Sequence, residues 1–180
     1  MALLRHTTRL ALRTPRRSFA AVPQTVSDDD FKTIKDELTA FMHERIYPNE
    51  QLFLKQSHAS RGKDGREWTH PKLIVDLMVE AKERGLWNLF LPADSAKLAP
   101  SGSHLGRGLT NLQYADLCEL MGTSVHFEFA ATACNCASPD TGNMETIARF
   151  GNEEQKEKWL APLLDGSIRS CFAMTEPDVA

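Results

Sequence analysis

Between Ser27 and Gly166 apolar residues recur at helical spacing in run after run, most of them opening on a capping residue or proline and closing on glycine or proline. A period of 3.6 gathers such residues on one face of a helix, whereas a strand would scatter them over both. The pattern requires helix packed on helix.

Ser27 and Asp30 have the capping-box arrangement, and Phe31, Ile34, Leu38, Phe41, Met42 and Ile46 keep helical spacing as far as Pro48, which predicts a first helix over 28–47. From Asn49 to Trp68 the pattern dissolves into polar residues, with a loop at Arg61 to Gly65. Pro71 opens a second helix, which carries Leu73, Ile74, Leu77, Met78 and Ala81 on one face and stops at Gly85. The apolar connector "LWNLFLP" leads into 92–108, rich in Pro, Gly and Ser and expected to be a mobile surface loop.

Thr110 and Gln113 form a second capping box, opening a helix through Leu112, Ala115, Leu117 and Met121 to Gly122. "VHFEFAATACNCA" is apolar on most sides, so a helix there must be buried and a bundle must surround it. Asp140 is expected to cap the next helix, with Met144, Ile147 and Ala148 inward and Gly151 as its stop. Asn152 and Gln155 cap a last helix whose inner face is Trp159, Leu160, Leu163 and Leu164; Pro162 should kink it, and Gly166 ends it.

At Ile168 the period changes from 3.6 to 2. Ile168, Ser170, Phe172 and Met174 fall on one side, and Arg169, Cys171, Ala173 and Thr175 on the other, the pattern of a strand. A single strand leaves its backbone groups unpaired, so the expectation is a β domain of which this chain holds only the start, at 168–180.

A chain of 180 residues, 42% hydrophobic and 25% charged, suits one globular domain with tails. No stretch is apolar for long enough to cross a bilayer, and no integral membrane segment is expected. Residues 1–27 hold five arginines and no acid; removing those charges from the net of −3 leaves −8 for 28–180, too acidic for a nucleic-acid binder. The four cysteines lack CxxC spacing and read as reduced thiols, with no metal site expected at Cys134 and Cys136. Glycines at 102, 106 and 108 do not make a dinucleotide fingerprint, and Gly62-Lys63 does not make a phosphate loop.

Arg5, Arg9 and Arg13 share one helical face opposite Leu3, Leu4, Leu10 and Ala11, an acid-free basic amphipathic helix that reads as a mitochondrial transit peptide over 1–19, with cleavage after Phe19 and a linker at 20–27. The expected location is the mitochondrial matrix.

A helical domain, a proline-bearing last helix with Gly-x-Glu-Glu-Gln-Lys at its start, and a strand running into Thr-Glu-Pro together resemble the acyl-CoA dehydrogenases, most strongly over "GNEEQKEKWLAPLLDGSIRSCFAMTEPD". "GLWNLFLP", "GLTNLQYADLCELMG" and "CNCASPDTGNMETIARFG" look like the subgroup often fused to a phosphotransferase-like domain. The resemblance implies the helical N-terminal domain of that fold over 28–167 and an N-terminal part of an FAD-dependent enzyme that dehydrogenates acyl-CoA thioesters in fatty-acid oxidation. It implies acyl-CoA as substrate, a homo-oligomer when full-length, and an electron-transfer protein as acceptor.

Carried over residue by residue, Thr175 matches the hydroxyl that bonds the pyrimidine edge of the flavin, Met174 the backbone contact beside it and Phe172 the nearby aromatic. The usual Gly-Ser-Asp continuation, the catalytic carboxylate and the C-terminal helices are expected beyond Ala180. Glu128, Asp140 and Glu145 offer carboxylates, but no spacing favours one, and no catalytic residue is assigned. The chain alone is expected neither to retain FAD tightly nor to turn over substrate. The other readings are a non-catalytic helical module that docks on a full-length subunit or another mitochondrial protein, and an incomplete gene product.

Overall fold

The computed structural model describes residues 26–59, 70–126, 128–174 and 178. The expected transit peptide, most of the linker, the loop around Gly62 and Thr175 lie outside the described residues. The architecture is helical throughout, with no strand among the described residues.

Three stretches of near-continuous helix organise the chain. The first begins at α1 (Asp28–Phe41), where the Ser27 hydroxyl accepts from the Asp30 N–H at 3.1 Å, and it does not stop at Pro48. A π turn (Met42–Ile46) and a 3-10 turn (Tyr47–Asn49) carry it into α2 (Glu50–Ala59), so the helix expected to end at residue 47 continues through a segment expected to be irregular. In the π turn the Tyr47 N–H reaches back five residues to Met42 O, and this widening makes room for the proline ring just beyond. Residue spacing alone could not reveal α2, because no residue in it is buried.

The second stretch is α3 (Lys72–Glu83), which buries Leu73, Ile74, Leu77 and Ala81 as expected. Gly85 follows at φ 70°, the left-handed conformation glycine adopts freely. Arg84 ties α3 to the first stretch, reaching Glu37 at 3.2 Å and Glu44 at 2.9 Å. Residues 92–108 are less loop-like than expected, since α4 (Ala93–Ala96) forms there and buries Ser95 and Ala96.

α5 (Asn111–Met121) carries the full Thr110–Gln113 capping box and buries Leu117 and Met121, while Leu112 points to solvent. α6 (Glu128–Ala133) is the buried short helix that the apolar run required. It packs on α3, α5 and the first π turn, with Phe129, Ala130 and Ala133 fully buried. Burying a side chain the size of Phe129 is worth about 1.5–3 kcal/mol.

α7 (Asp140–Phe150) buries Met144 and Ala148. The third stretch is α8 (Glu153–Gln155), a second π turn (Lys156–Leu160) and α9 (Ala161–Asp165), opened by the Asn152–Gln155 capping box. Here too a π turn precedes a proline, with the Ala161 N–H on Lys156 O just ahead of Pro162. Leu160, Leu163 and Leu164 face inward as expected, but Trp159 is 47% exposed, because the widened turn shifts the face that a 3.6 period assigns to it.

Gly166 ends this helix at φ 76°, and a Cβ there would lie 2.7 Å from the Trp87 ring, so both backbone and packing require glycine. Beyond it the expected strand forms no ladder. Residues 169–174 take no regular secondary structure and make no β pairing, since the described chain supplies no second strand to satisfy their backbone groups.

Candidate functional site

The last turn of a helix leaves four carbonyls without intrahelical partners. In α9 three of them are met by side chains from distant segments: Trp87 Nε1 donates to Leu164 O at 2.8 Å and Lys82 Nζ to Asp165 O at 2.6 Å. Asn88 Nδ2 donates to the same Leu164 carbonyl at 2.8 Å, and Asn135 Nδ2 to Leu163 O at 3.0 Å. The two asparagines also bond each other, Asn135 Nδ2 to Asn88 Oδ1 at 2.7 Å.

Both asparagines are buried, at 0% and 1% exposure, and both adopt left-handed backbone, φ 53° and 54°. Asparagine tolerates that conformation better than other side-chain-bearing residues. The sequence signal was a single amide set inside each apolar run, "LWNLFLP" and "TACNCA". A buried amide costs free energy unless its hydrogen bonds are made, and here they are.

The network continues outward. Arg169 Nη1 donates to Asn135 Oδ1 at 2.8 Å and pairs with Asp140 Oδ2 at 3.1 Å. Asp140, expected to cap its own helix, does not; no side-chain cap bond is present at the start of α7. Its carboxylate accepts instead from the Ser170 N–H at 2.7 Å and the Ser170 hydroxyl at 2.6 Å. A partner thirty residues along the chain has displaced the local one.

Arg169, Asp140 and Ser170 form one edge of a cleft of about 400 Å³ between α2, α3 and α6. Phe53, Ile74 and Pro139 give it apolar walls, and Glu128, Thr132 and His70 supply polar groups. Phe53 is fixed by stacking on Phe129, with ring centroids 4.3 Å apart and planes 6° from parallel. The Ser138–Pro139 peptide beside it is cis.

Of the three carboxylates considered from the sequence, Asp140 is committed to Arg169 and Ser170, and Glu145 to Ser95 at 2.8 Å and Arg149 at 2.7 Å. Glu128 lines the cleft from the start of α6 and is exposed. Phe172 and Met174 lie two and four residues past the tether at Ser170, exposed to 68% and 84%, outside the cleft lining. Burial pushes the thiols of Cys134 and Cys136 up, the latter to about 12, and no group of three or more metal-ligating side chains exists among the described residues.

The family model for the acyl-CoA dehydrogenase N-terminal domain matches residues 28–167, and the chain belongs to the acyl-CoA dehydrogenase family. Among its relatives, acyl-CoA dehydrogenase family member 10 of Mus musculus is 48% identical over 150 residues, covering 83% of this chain and 13% of that protein. Acyl-CoA dehydrogenase family member 11 of Gallus gallus is 39% identical, covering 92% of this chain and 20% of its own length. A solved chain from Mycobacterium abscessus assigned to the same enzymes matches with a TM-score of 0.68 and 41% identity, over 86% of this chain and 36% of that one. The chain therefore spans about a fifth or less of these two curated relatives.

Proposed function

We propose that this chain supplies the N-terminal domain of an FAD-dependent acyl-CoA dehydrogenase and, within it, one wall of the acyl-CoA and flavin pocket. The observation that carries the reading is the cleft of about 400 Å³, apolar in its walls and bordered by the tethered residues that lead to Phe172 and Met174. A cleft of that size, with a few polar groups at its rim, is the form small-ligand sites take.

The residues present fit a flavin edge. From Cys171 to Met174 the side chains are exposed and the segment lies outside any helix, leaving N–H and C=O groups available to a planar heteroaromatic ring. Phe172 and the Met174 backbone would lie against that ring, and the Thr175 hydroxyl would donate to its pyrimidine edge, where negative charge grows on reduction. The flavin, when bound, supplies the redox chemistry of the α,β-dehydrogenation. Phe53, Ile74 and Pro139 would exclude water from the acyl chain.

The same reading gives the whole protein an acyl-CoA substrate, a homo-oligomeric state and an electron-transfer protein as acceptor, and the basic amphipathic stretch at 1–19 supports a mitochondrial matrix location. The test is a chimera in which this chain's 28–174 replaces the matching segment of the Mycobacterium abscessus protein. Retained FAD and dye-coupled oxidation of acyl-CoA thioesters are expected. A folded chimera that binds neither flavin nor acyl-CoA sinks the proposal.

The exposed Phe172 and Met174 on an unpaired segment also suit the second reading, a non-catalytic module that docks on a full-length subunit. Co-purification of the 180-residue chain with such a subunit, without flavin, would favour it.

A further inference from the structure

Asp140 is a buried carboxylate, 4% exposed, at the first position of α7. Such a residue ordinarily serves its own helix. Instead one carboxylate oxygen takes both hydrogen bonds that Ser170 can donate, at 2.7 and 2.6 Å, while the other pairs with Arg169 at 3.1 Å. The Ser170 hydroxyl in turn accepts from Asn143 Nδ2 at 2.8 Å, so α7 grips Ser170 through two of its side chains. Arg169 is held from the other side by Asn135. Two adjacent residues at the exit of the helical body are thus fixed in direction by charge-assisted bonds, the strongest type available to them.

Only three described residues separate this grip from Met174, and they are exposed. Their direction of departure is set at Ser170. We infer that Asp140 is a positioning residue: it fixes the angle at which the segment carrying Phe172 and Met174 leaves the body and so, resting on the function proposed above, presents that segment to the flavin. It acts through Ser170 and Arg169 and touches no reacting atom.

Amide hydrogen exchange on the 180-residue chain tests the grip without any cofactor. In Asp140→Ala the Ser170 amide loses its acceptor and should exchange about tenfold faster or more, while Met144 to Ala148 keep their protection. Asp140→Asn retains an acceptor oxygen and should restore most of the Ser170 protection. A residue that merely supports α7 would give the opposite map, with faster exchange at Asn143 and its neighbours and none of the change at Ser170; that result would overturn the inference.

Should Asp140→Ala fail to fold, Ser170→Ala carries the test by fluorescence anisotropy of a dye on Cys171 in a Cys118→Ser background. Anisotropy should fall when the hydroxyl is removed, and an unchanged value counts against the tether. In the chimera, Asp140→Ala should weaken FAD about tenfold with Asp140→Asn intermediate, and equal affinities for all three would remove the positioning role. A folded wild-type chimera that binds neither flavin nor acyl-CoA defeats the proposed function, while the exchange map still decides the tether.

Discussion

The helical body and the segment that leaves it are held by different forces. In the body, Leu38, Phe41, Leu77, Phe129, Met144 and Leu164 are each 0% exposed and belong to one core drawn from α1, α3, α6, α7 and α9. At the exit, Arg169 and Ser170 are held by hydrogen bonds to Asp140, Asn135 and Asn143, and from Cys171 onward the described side chains are exposed. Apolar burial is non-directional and tolerates adjustment, whereas a set of short polar bonds fixes one angle. The body supplies stability, and the exit supplies direction.

The sharpest way to break this contrast is at the centre of the body. Phe129→Ala should cost about 3–5 kcal/mol in urea unfolding, because Phe53, stacked on it, cannot fill the space. A loss under about 1 kcal/mol would mean the core is not organised around α6. Next in size is Asn135→Ala, which strips partners from Asn88, Arg169 and the Leu163 carbonyl together and should cost about 1–3 kcal/mol in the same assay.

A smaller effect comes with pH. Burial raises the Cys136 thiol from 9.0 to about 12 and raises Cys134 as well, so the unfolded chain releases these protons first as pH rises. The contribution of Cys136 to stability is complete below pH 9 and is lost between pH 9 and about 12. Urea midpoints should fall through that window in wild type and fall less in Cys136→Ala; parallel profiles would contradict the assignment. Smallest of all, Phe172→Ala and Met174→Ala should shift stability by no more than about 0.5 kcal/mol, since neither side chain is packed. A larger loss in thermal unfolding would move those residues from the exit into the body.

The same division explains what the sequence made legible. Local signals carried through: the capping boxes Thr110–Gln113 and Asn152–Gln155 form with both reciprocal bonds, the Ser27 cap on Asp30 forms as well, and the inward faces of α3 and α7 follow their spacing. Each depends on neighbours within a turn. Asp140 defeated the local rule because its partners, Arg169 and Ser170, are distant in sequence.

Pro48 predicts a stop because proline removes an N–H and crowds the preceding turn, yet a π turn absorbs the conflict, and no residue type announces one. Within the candidate site, the alternating pattern marked 168–174 as distinct from the body. The cleft could not be read, since Phe53, Ile74 and Pro139 meet only when three separated segments pack. For Asn88 and Asn135 the one local signal is an amide in apolar company.

The π turn at Met42–Ile46 also sets a phase. Each α-helical residue turns the chain by roughly 100°, and a π turn lodges one residue more than an α turn would. Were the same residues wound as regular α-helix, the turn would no longer absorb its extra residue, and everything downstream would rotate by roughly that angle. Phe53 would then swing off Phe129, and one wall of the cleft would face water. An irregularity in the hydrogen-bond ladder thus acts as an angular offset, aiming α2 at a cleft that begins a full helical turn or more further along the chain.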